Sequence, residues 1–284
     1  MLKFKKEHPY LICIDSDGTV IDSMTIKHER CFGPKFIEVF NINKHKDEVL
    51  SYWLDINLYE KTRGINRFQG LNKAIKYLEK YEIYIDGYDV FENWVNTTKA
   101  FSNDLLKEEI SKNENNYCLK KALEWSLEVN KAIKELPLSS PFENVKEALE
   151  ILSKYCDLVG VSSANKEAVN EEWSHHDLFK YFKAVGCQDV GSKTKIIEDV
   201  LKLGYELNDS YMVGDALGDF EASQKNNIRF IPIIPTKEVE SWIKIKDVIL
   251  NKITNNSFDN EFQEELNKEF FDSLKWGENW LWNY

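Results

Sequence analysis

The pattern of apolar and polar positions changes character along the chain, and each change marks a new kind of element. Near the start, Tyr10-Leu11-Ile12-Cys13-Ile14 is an unbroken apolar run that ends at Asp15. It is too short for a helix and lacks the alternation of a half-exposed strand, so it predicts a strand buried on both faces of a parallel sheet. After Val20 the spacing becomes helical and predicts helices over Thr25–Phe40, Lys46–Leu58, Phe68–Lys80, Asp89–Phe101 and Tyr117–Leu136. In the third of these, Phe68, Leu71, Ala74, Ile75 and Leu78 form one apolar stripe at helical spacing. Pro137 and Pro141, flanking Leu138-Ser139-Ser140, break the pattern and read as a hinge.

Beyond the hinge, strands and helices alternate. A helix over Pro141–Tyr155 precedes a strand over Asp157–Val161, and a helix over Asn165–Trp173 precedes a strand over Ala184–Cys187. Lys193–Leu203 reads as a helix ended by Gly204, followed by a strand at Tyr211–Val213, a helix to Asn226 and a last strand at Arg229–Ile234. Five strands joined by right-handed helical crossovers give an α/β fold, a three-layer Rossmann-like parallel sheet core. The expected organisation is therefore a core from residues 1–21 and 138–284, interrupted by an all-helical domain at 22–137. From about residue 238 the core carries appended helices, whose Trp242, Trp276, Trp280 and Trp282 are expected to pack on the core or at a subunit contact.

Composition narrows the class without naming a reaction. The chain of 284 residues, 43% apolar and 30% charged, has ample core for a globular protein. Its net charge of −11 argues against a sequence-independent nucleic-acid binder, which needs a basic excess to neutralise phosphates. A small phosphorylated ligand asks only for a local positive pocket. Five scattered cysteines, Cys13, Cys31, Cys118, Cys156 and Cys187, have no metal-ligand spacing and read as reduced, buried thiols. The apolar run after the basic N-terminus is too short for a signal core or a membrane span, so a cytoplasmic location is expected, with no membrane partner.

The chemistry gathers at the predicted strand ends, where open α/β sheets bind ligands. Asp15 sits at the tip of the first strand and Asp17 in the turn that Gly18 permits. Two such carboxylates repel and invite a hard cation, and Mg²⁺ is the one that also tolerates a phosphate oxygen. Ser162 and Ser163 follow the second strand ahead of a helix, a place where a hydroxyl and backbone N–H groups can cradle an anion or simply cap the helix. Lys193, with Lys195 as its rival, opens a later helix. Gly214-Asp215 ends the fourth strand, and Asp219 follows one helical turn on, putting two carboxylates on one side of a strand-to-helix junction. In the helical domain, Lys61-Thr62-Arg63-Gly64-Ile65-Asn66-Arg67 is a basic, glycine-containing loop suited to a phosphate or carboxylate, or equally an ordinary surface turn. His175-His176-Asp177 suggests a metal cluster at first sight, but adjacent helical histidines diverge, so it reads as the end of a helix.

The run Asp15-Ser16-Asp17-Gly18-Thr19 after an apolar strand, then Ser162, Lys193 and Gly214-Asp215-x-x-x-Asp219 in that order, resembles the four motifs of the haloacid dehalogenase superfamily. The acidic residue at the second motif position points to its phosphatase branch, with a helical cap inserted after the first motif. The resemblance implies that Asp15 is the nucleophile and Asp17 the acid and base. It implies phosphate binding by Ser162, Ser163 and Lys193, and Mg²⁺ held by Asp15, Asp17 and Asp215 with Asp219 supporting from behind. Arg63, Asn66 and Arg67 would then contribute to substrate choice from the cap. The activity implied is hydrolysis of a small-molecule phosphate monoester through an aspartyl-phosphate. The alternatives are a sugar-phosphate mutase on the same core and a non-catalytic protein that binds a phosphorylated metabolite.

Overall fold

The computed structural model describes residues 2–275, so Trp276, Trp280 and Trp282 lie outside the described residues. Five strands form the sheet: β1 at Tyr10–Ile14, β2 at Cys156–Val161, β3 at Ala184–Gly186, β4 at Ser210–Gly214 and β5 at Arg229–Pro232. All neighbours are parallel, in the order β3-β2-β1-β4-β5. β1 is the centre because Leu11, Ile12, Cys13 and Ile14 are fully buried and can face apolar layers on both sides. The strand's period of two splits them between two cores. Ile12 and Ile14 join Val145, Leu149, Trp173 and Trp242 on one face, while Leu11 and Cys13 join Ile197, Val200 and Phe270 on the other.

Thr25–Pro137 form a separate compact unit with a core of its own. It contains helices at Lys46–Leu54, Arg67–Leu78, Tyr88–Thr97, Asn103–Lys112 and Tyr117–Glu135. The helix at Asn103–Lys112 was not visible in the hydrophobic pattern, because Leu106 is its one fully buried side chain. The first two predicted helices each contain a π turn, at His28–Phe32 and Asp55–Tyr59. The wider turn frees backbone carbonyls for other donors, and the Trp125 indole donates to the Phe32 carbonyl at 3.1 Å. Trp53 and Trp125, both fully buried, stand at the centre of this unit, with ring centroids 5.8 Å apart in an edge-to-face arrangement.

In the sheet-containing unit, the helix predicted over Pro141–Tyr155 is shorter, Val145–Leu152. Asn144 adopts a left-handed conformation with φ of 67°, and Pro141 pairs with Ile21 in a β-bridge, so neither belongs to a helix. At the amino end of β2, buried Asp157 pins the N-terminal segment. One of its oxygens accepts from the amides of Glu7 and His8, at 2.8 and 3.0 Å, and from the Tyr205 hydroxyl at 2.6 Å.

The C-terminal extension begins with a helix at Glu238–Lys244, continues through a π turn at Ile245–Ile249 and ends in a helix at Asn260–Ser273. Trp242, Ile245, Ile249, Leu250 and Ile253 pack into the first core, so the extension is integral to this unit. The Gln263 side chain lies along the outer strand β5, donating to the Phe230 carbonyl at 2.8 Å and accepting from its amide at 3.0 Å. Five cysteines are buried as free thiols. No helix among the described residues is long and apolar enough to cross a membrane.

Candidate active site

The chain leaves β1 for β2 and β3 on one side and returns to β4 and β5 on the other, which makes the gap between the carboxyl ends of β1 and β4 the switch point of the sheet. Crevices at such points are where open α/β sheets receive ligands. Two residues that directly follow these strands supply carboxylates there: Asp15 after β1, and Asp215 after β4. The Asp15 amide donates to the Val213 carbonyl at 3.0 Å, which locks the two strand ends together.

The turn after β1 is tightly wound. The Ser16 carbonyl accepts from the amides of Val20 and Ile21, both at 2.9 Å, and Gly18 has φ of 78°, a left-handed conformation that glycine adopts without strain. Thr19 is fully buried, and its hydroxyl donates to Asp215 Oδ1 at 2.8 Å. The Asp17 side chain is partly exposed and accepts a short hydrogen bond from the buried Ser23 hydroxyl.

Asp219 comes from the helix Leu217–Lys225, where its carboxylate accepts from the Ala216 amide at 3.2 Å and so caps the helix. It reaches the site because Gly214 has no side chain: a Cβ there would stand 2.3 Å from Asp219 Cγ. Lys193 opens the helix Lys193–Leu201, and its ammonium meets Asp15 Oδ1 at 2.8 Å and Asp219 Oδ1 at 2.6 Å. The rival Lys195 instead pairs with Asp199 on its own helix at 2.8 Å.

Asp15, Asp215 and Asp219 are all buried, and each offers a carboxylate oxygen within 4.8 Å of the others. Burial raises the Asp15 pKa well above the ordinary aspartate range; Lys193 opposes this, and Asp219 and Asp215 reinforce it. Asp219 is raised by the same burial against the same lysine, with Asp215 adding. Burial alone would lower the Lys193 pKa, but Asp15 and Asp219 outweigh it and push it up. These directions have one cause, three carboxylates sharing one ammonium in a poorly solvated space. The donor set is all hard oxygen with surplus negative charge, which fits a small divalent cation such as Mg²⁺.

Of the remaining residues singled out from sequence, Ser162 is buried at the end of β2, and its hydroxyl accepts from the Ala164 amide at 3.1 Å. Ser163 is exposed beside it. The side chain of Asp17 is not in the three-carboxylate cluster. His176 ends the helix Lys166–His175 with a ring nitrogen 2.8 Å from the Ser139 carbonyl, as its reading as a helix end anticipates. Within the helical unit, Asn66 caps the helix Arg67–Leu78, accepting from the Phe68 amide at 3.0 Å. Arg63 is buried and donates to the Leu58 carbonyl at 2.8 Å. The Arg67 guanidinium donates to Asn130 Oδ1 at 2.6 Å and lies 5.1 Å from the Phe32 ring, and burial lowers its pKa to about 10.

Sequence reasoning missed the residues that brace the turn. The Trp173 indole donates to the Ser16 hydroxyl at 2.9 Å, and the Trp242 indole to the Thr19 carbonyl at 2.8 Å. Both indoles come from elements far along the chain, so no local pattern announces them.

Among solved structures, the chain resembles a provisionally assigned phosphoglycolate phosphatase from Lactobacillus delbrueckii subsp. bulgaricus, at 15% identity and TM-score 0.50, covering 80% of this chain and 86% of that one. A provisionally assigned phosphatase from Clostridium difficile matches at 21% identity and TM-score 0.42, covering 80% and 86%. The provisionally assigned HAD hydrolase YfnB of Bacillus subtilis, bound to magnesium, matches at 13% identity and TM-score 0.44, covering 79% and 86%. These likenesses concern the fold alone, and no curated protein sequence matches. The sequence model described as haloacid dehalogenase-like hydrolase matches residues 89–233, just over half of the 284 residues. With the parallel sheet and the carboxylate cluster in place, that match shows that the chain belongs to the haloacid dehalogenase-like hydrolase family.

Proposed function

We propose that the protein is a phosphatase that hydrolyses a small-molecule phosphate monoester through an aspartyl-phosphate on Asp15. The observation that carries this reading is the placement of the Lys193 ammonium 2.8 Å from Asp15 Oδ1, inside a cluster completed by Asp215 and Asp219. A carboxylate so paired is held in one orientation as a nucleophile, and the same ammonium neutralises phosphate oxygens as they approach it. Asp17, oriented by the Ser23 hydroxyl, protonates the departing alcohol and then takes a proton from the water that hydrolyses the acyl phosphate. Ser162 and the backbone that follows it bind the transferring phosphoryl group, with Ser163 at its exposed edge. Mg²⁺, held by Asp15 and Asp215 with Asp219 in support, would supply electrostatic stabilisation of the charge on the phosphoryl group, while the Asp17 side chain, outside that cluster, keeps the acid–base role. Asp219 also holds Lys193 towards Asp15.

We assign substrate choice to the helical unit, with Arg67 as its candidate for an anionic substrate group. Its acceptors are neutral: Asn130 Oδ1, and the hydroxyl and carbonyl of Ser126. Arg63 and Asn66, engaged with backbone of their own unit, support that loop instead.

The test is phosphate release from an aryl phosphate by the wild type and Asp15→Asn, each with Mg²⁺ and with EDTA. The reading expects Mg²⁺-dependent release that falls by several orders of magnitude in the variant. Activity surviving at wild-type level in Asp15→Asn would overturn the nucleophile assignment.

A further inference from the structure

Trp242 lies beyond residue 233, where the family match ends, in the helix Glu238–Lys244, yet it is among the largest fully buried side chains of the protein. Its indole N–H donates to the carbonyl of Thr19 at 2.8 Å, across 223 positions of sequence. Thr19 is fully buried and is bound at its other end to the cluster, its hydroxyl donating to Asp215 Oδ1 at 2.8 Å. One residue of the motif turn therefore has its backbone held by the C-terminal extension and its side chain holding a carboxylate. A buried carbonyl keeps its donor because no water can replace it, so the indole fixes where the Thr19 peptide sits.

We infer that Trp242 is a positioning residue for the cation site, holding Asp215 in place through Thr19, so that the extension sets the affinity of the carboxylate cluster for Mg²⁺. The inference rests on the metal-site reading above. Partners one step behind a metal ligand, the place Thr19 holds here, change affinity by about 10–100-fold when removed, because they fix the ligand's orientation. Trp242 stands one contact further back and is expected at the low end of that range. A tryptophan that only filled space would show no such effect once its volume was kept.

The experiment titrates Mg²⁺ alone into the full chain by calorimetry and records thermal unfolding in EDTA for the same proteins. Trp242→Phe keeps an aromatic ring and removes the N–H. Leu266→Ala is the control, since Leu266 is buried in the same extension and packs in the same core without bonding to the motif turn. The expected result is Mg²⁺ binding weakened roughly 10-fold or more in Trp242→Phe, and unchanged in Leu266→Ala despite a lowered melting temperature. Thr19→Val should weaken binding as well, and the double variant by less than the product of the two single effects, because both act on one chain of contacts.

Because phenylalanine is also smaller than tryptophan, replacing Trp242 by benzothienylalanine, which exchanges the N–H for sulfur in a ring of nearly the same shape, keeps the volume and decides the matter by the same titration whether or not Trp242→Phe folds. A dissociation constant within about twofold of wild type in a folded N–H-lacking variant would overturn the inference. Equal weakening in Leu266→Ala would do so too. Wild type that binds no Mg²⁺ would overturn the metal-site reading itself.

Discussion

Replacing Lys193 by methionine removes the ammonium that meets both Asp15 and Asp219 and keeps most of the apolar stem. Two carboxylates then lose their partner inside a three-carboxylate cluster, and breaking a buried pair from one side costs about 3–5 kcal/mol. That cost is not fixed, because the stranded carboxylates can take up a proton instead. Their pKa values, already raised in the native cluster, rise further without the lysine. The native state then binds more protons than the unfolded chain above the unfolded aspartate pKa of about 4, so stability falls as pH rises from there. The destabilisation should accordingly be small at pH 5 and approach its full size at pH 8, where it corresponds to roughly 6–20 °C in melting temperature for a domain of this size. Mg²⁺ at about 100 times its dissociation constant should return about 2.7 kcal/mol. The assay is thermal unfolding in EDTA at both pH values, repeated at pH 8 with Mg²⁺. Equal losses at pH 5 and pH 8, or a melting temperature indifferent to Mg²⁺, would refute the charge-cluster argument.

Gly214→Ala puts a methyl group 2.3 Å from Asp219 Cγ, so Asp219 must shift and its 2.6 Å contact with Lys193 is disturbed. An overpacking loss of about 1–3 kcal/mol in chemical denaturation should accompany a strong drop in turnover. Tyr205→Phe removes the 2.6 Å donor to buried Asp157 and should cost about 1.5–3 kcal/mol, with faster amide exchange at Glu7 and His8 and little change in turnover. Asn66→Ala removes a helix cap and should cost about 1 kcal/mol in unfolding, while KM for an anionic substrate stays at its wild-type value. A changed KM would mean that Asn66 touches substrate after all.

The motifs were legible because their residues announce themselves locally. Asp15 ends an apolar run, Gly214-Asp215 ends another, and Lys193 opens a helix with a clear apolar face. The two-faced burial of β1 follows from the same kind of short apolar run, whereas the order of the strands in the sheet is set by how the crossovers pack and was not read from it. Element ends were less legible where backbone conformation, not pattern, decides them, as with left-handed Asn144 cutting short the helix before β2. The helix Asn103–Lys112 escaped because one buried leucine makes no stripe. In the basic loop, composition suggested anion binding for three residues; Asn66 serves as a helix cap and Arg63 bonds to the Leu58 carbonyl in the π turn that precedes the loop. Trp242 packs in the core, as expected, but the bonds by which Trp173 and Trp242 brace the motif turn could not be read from sequence, since each is a single hydrogen bond across more than a hundred residues.

Gln263 has a consequence for self-association. An outer strand offers unpaired amides and carbonyls to any extended segment, and two copies of a sheet protein can join edge to edge through them. Gln263 meets both backbone groups of Phe230 at the middle of β5, using one amide side chain as a one-residue mimic of a neighbouring strand. A visiting strand would first have to displace the helix Asn260–Ser273 from the two cores that hold Phe262 and Leu266 on one face of the sheet and Phe270 on the other. That edge is thereby protected from continuous cross-molecule sheets, and strand-mediated assembly would be directed to the β3 side.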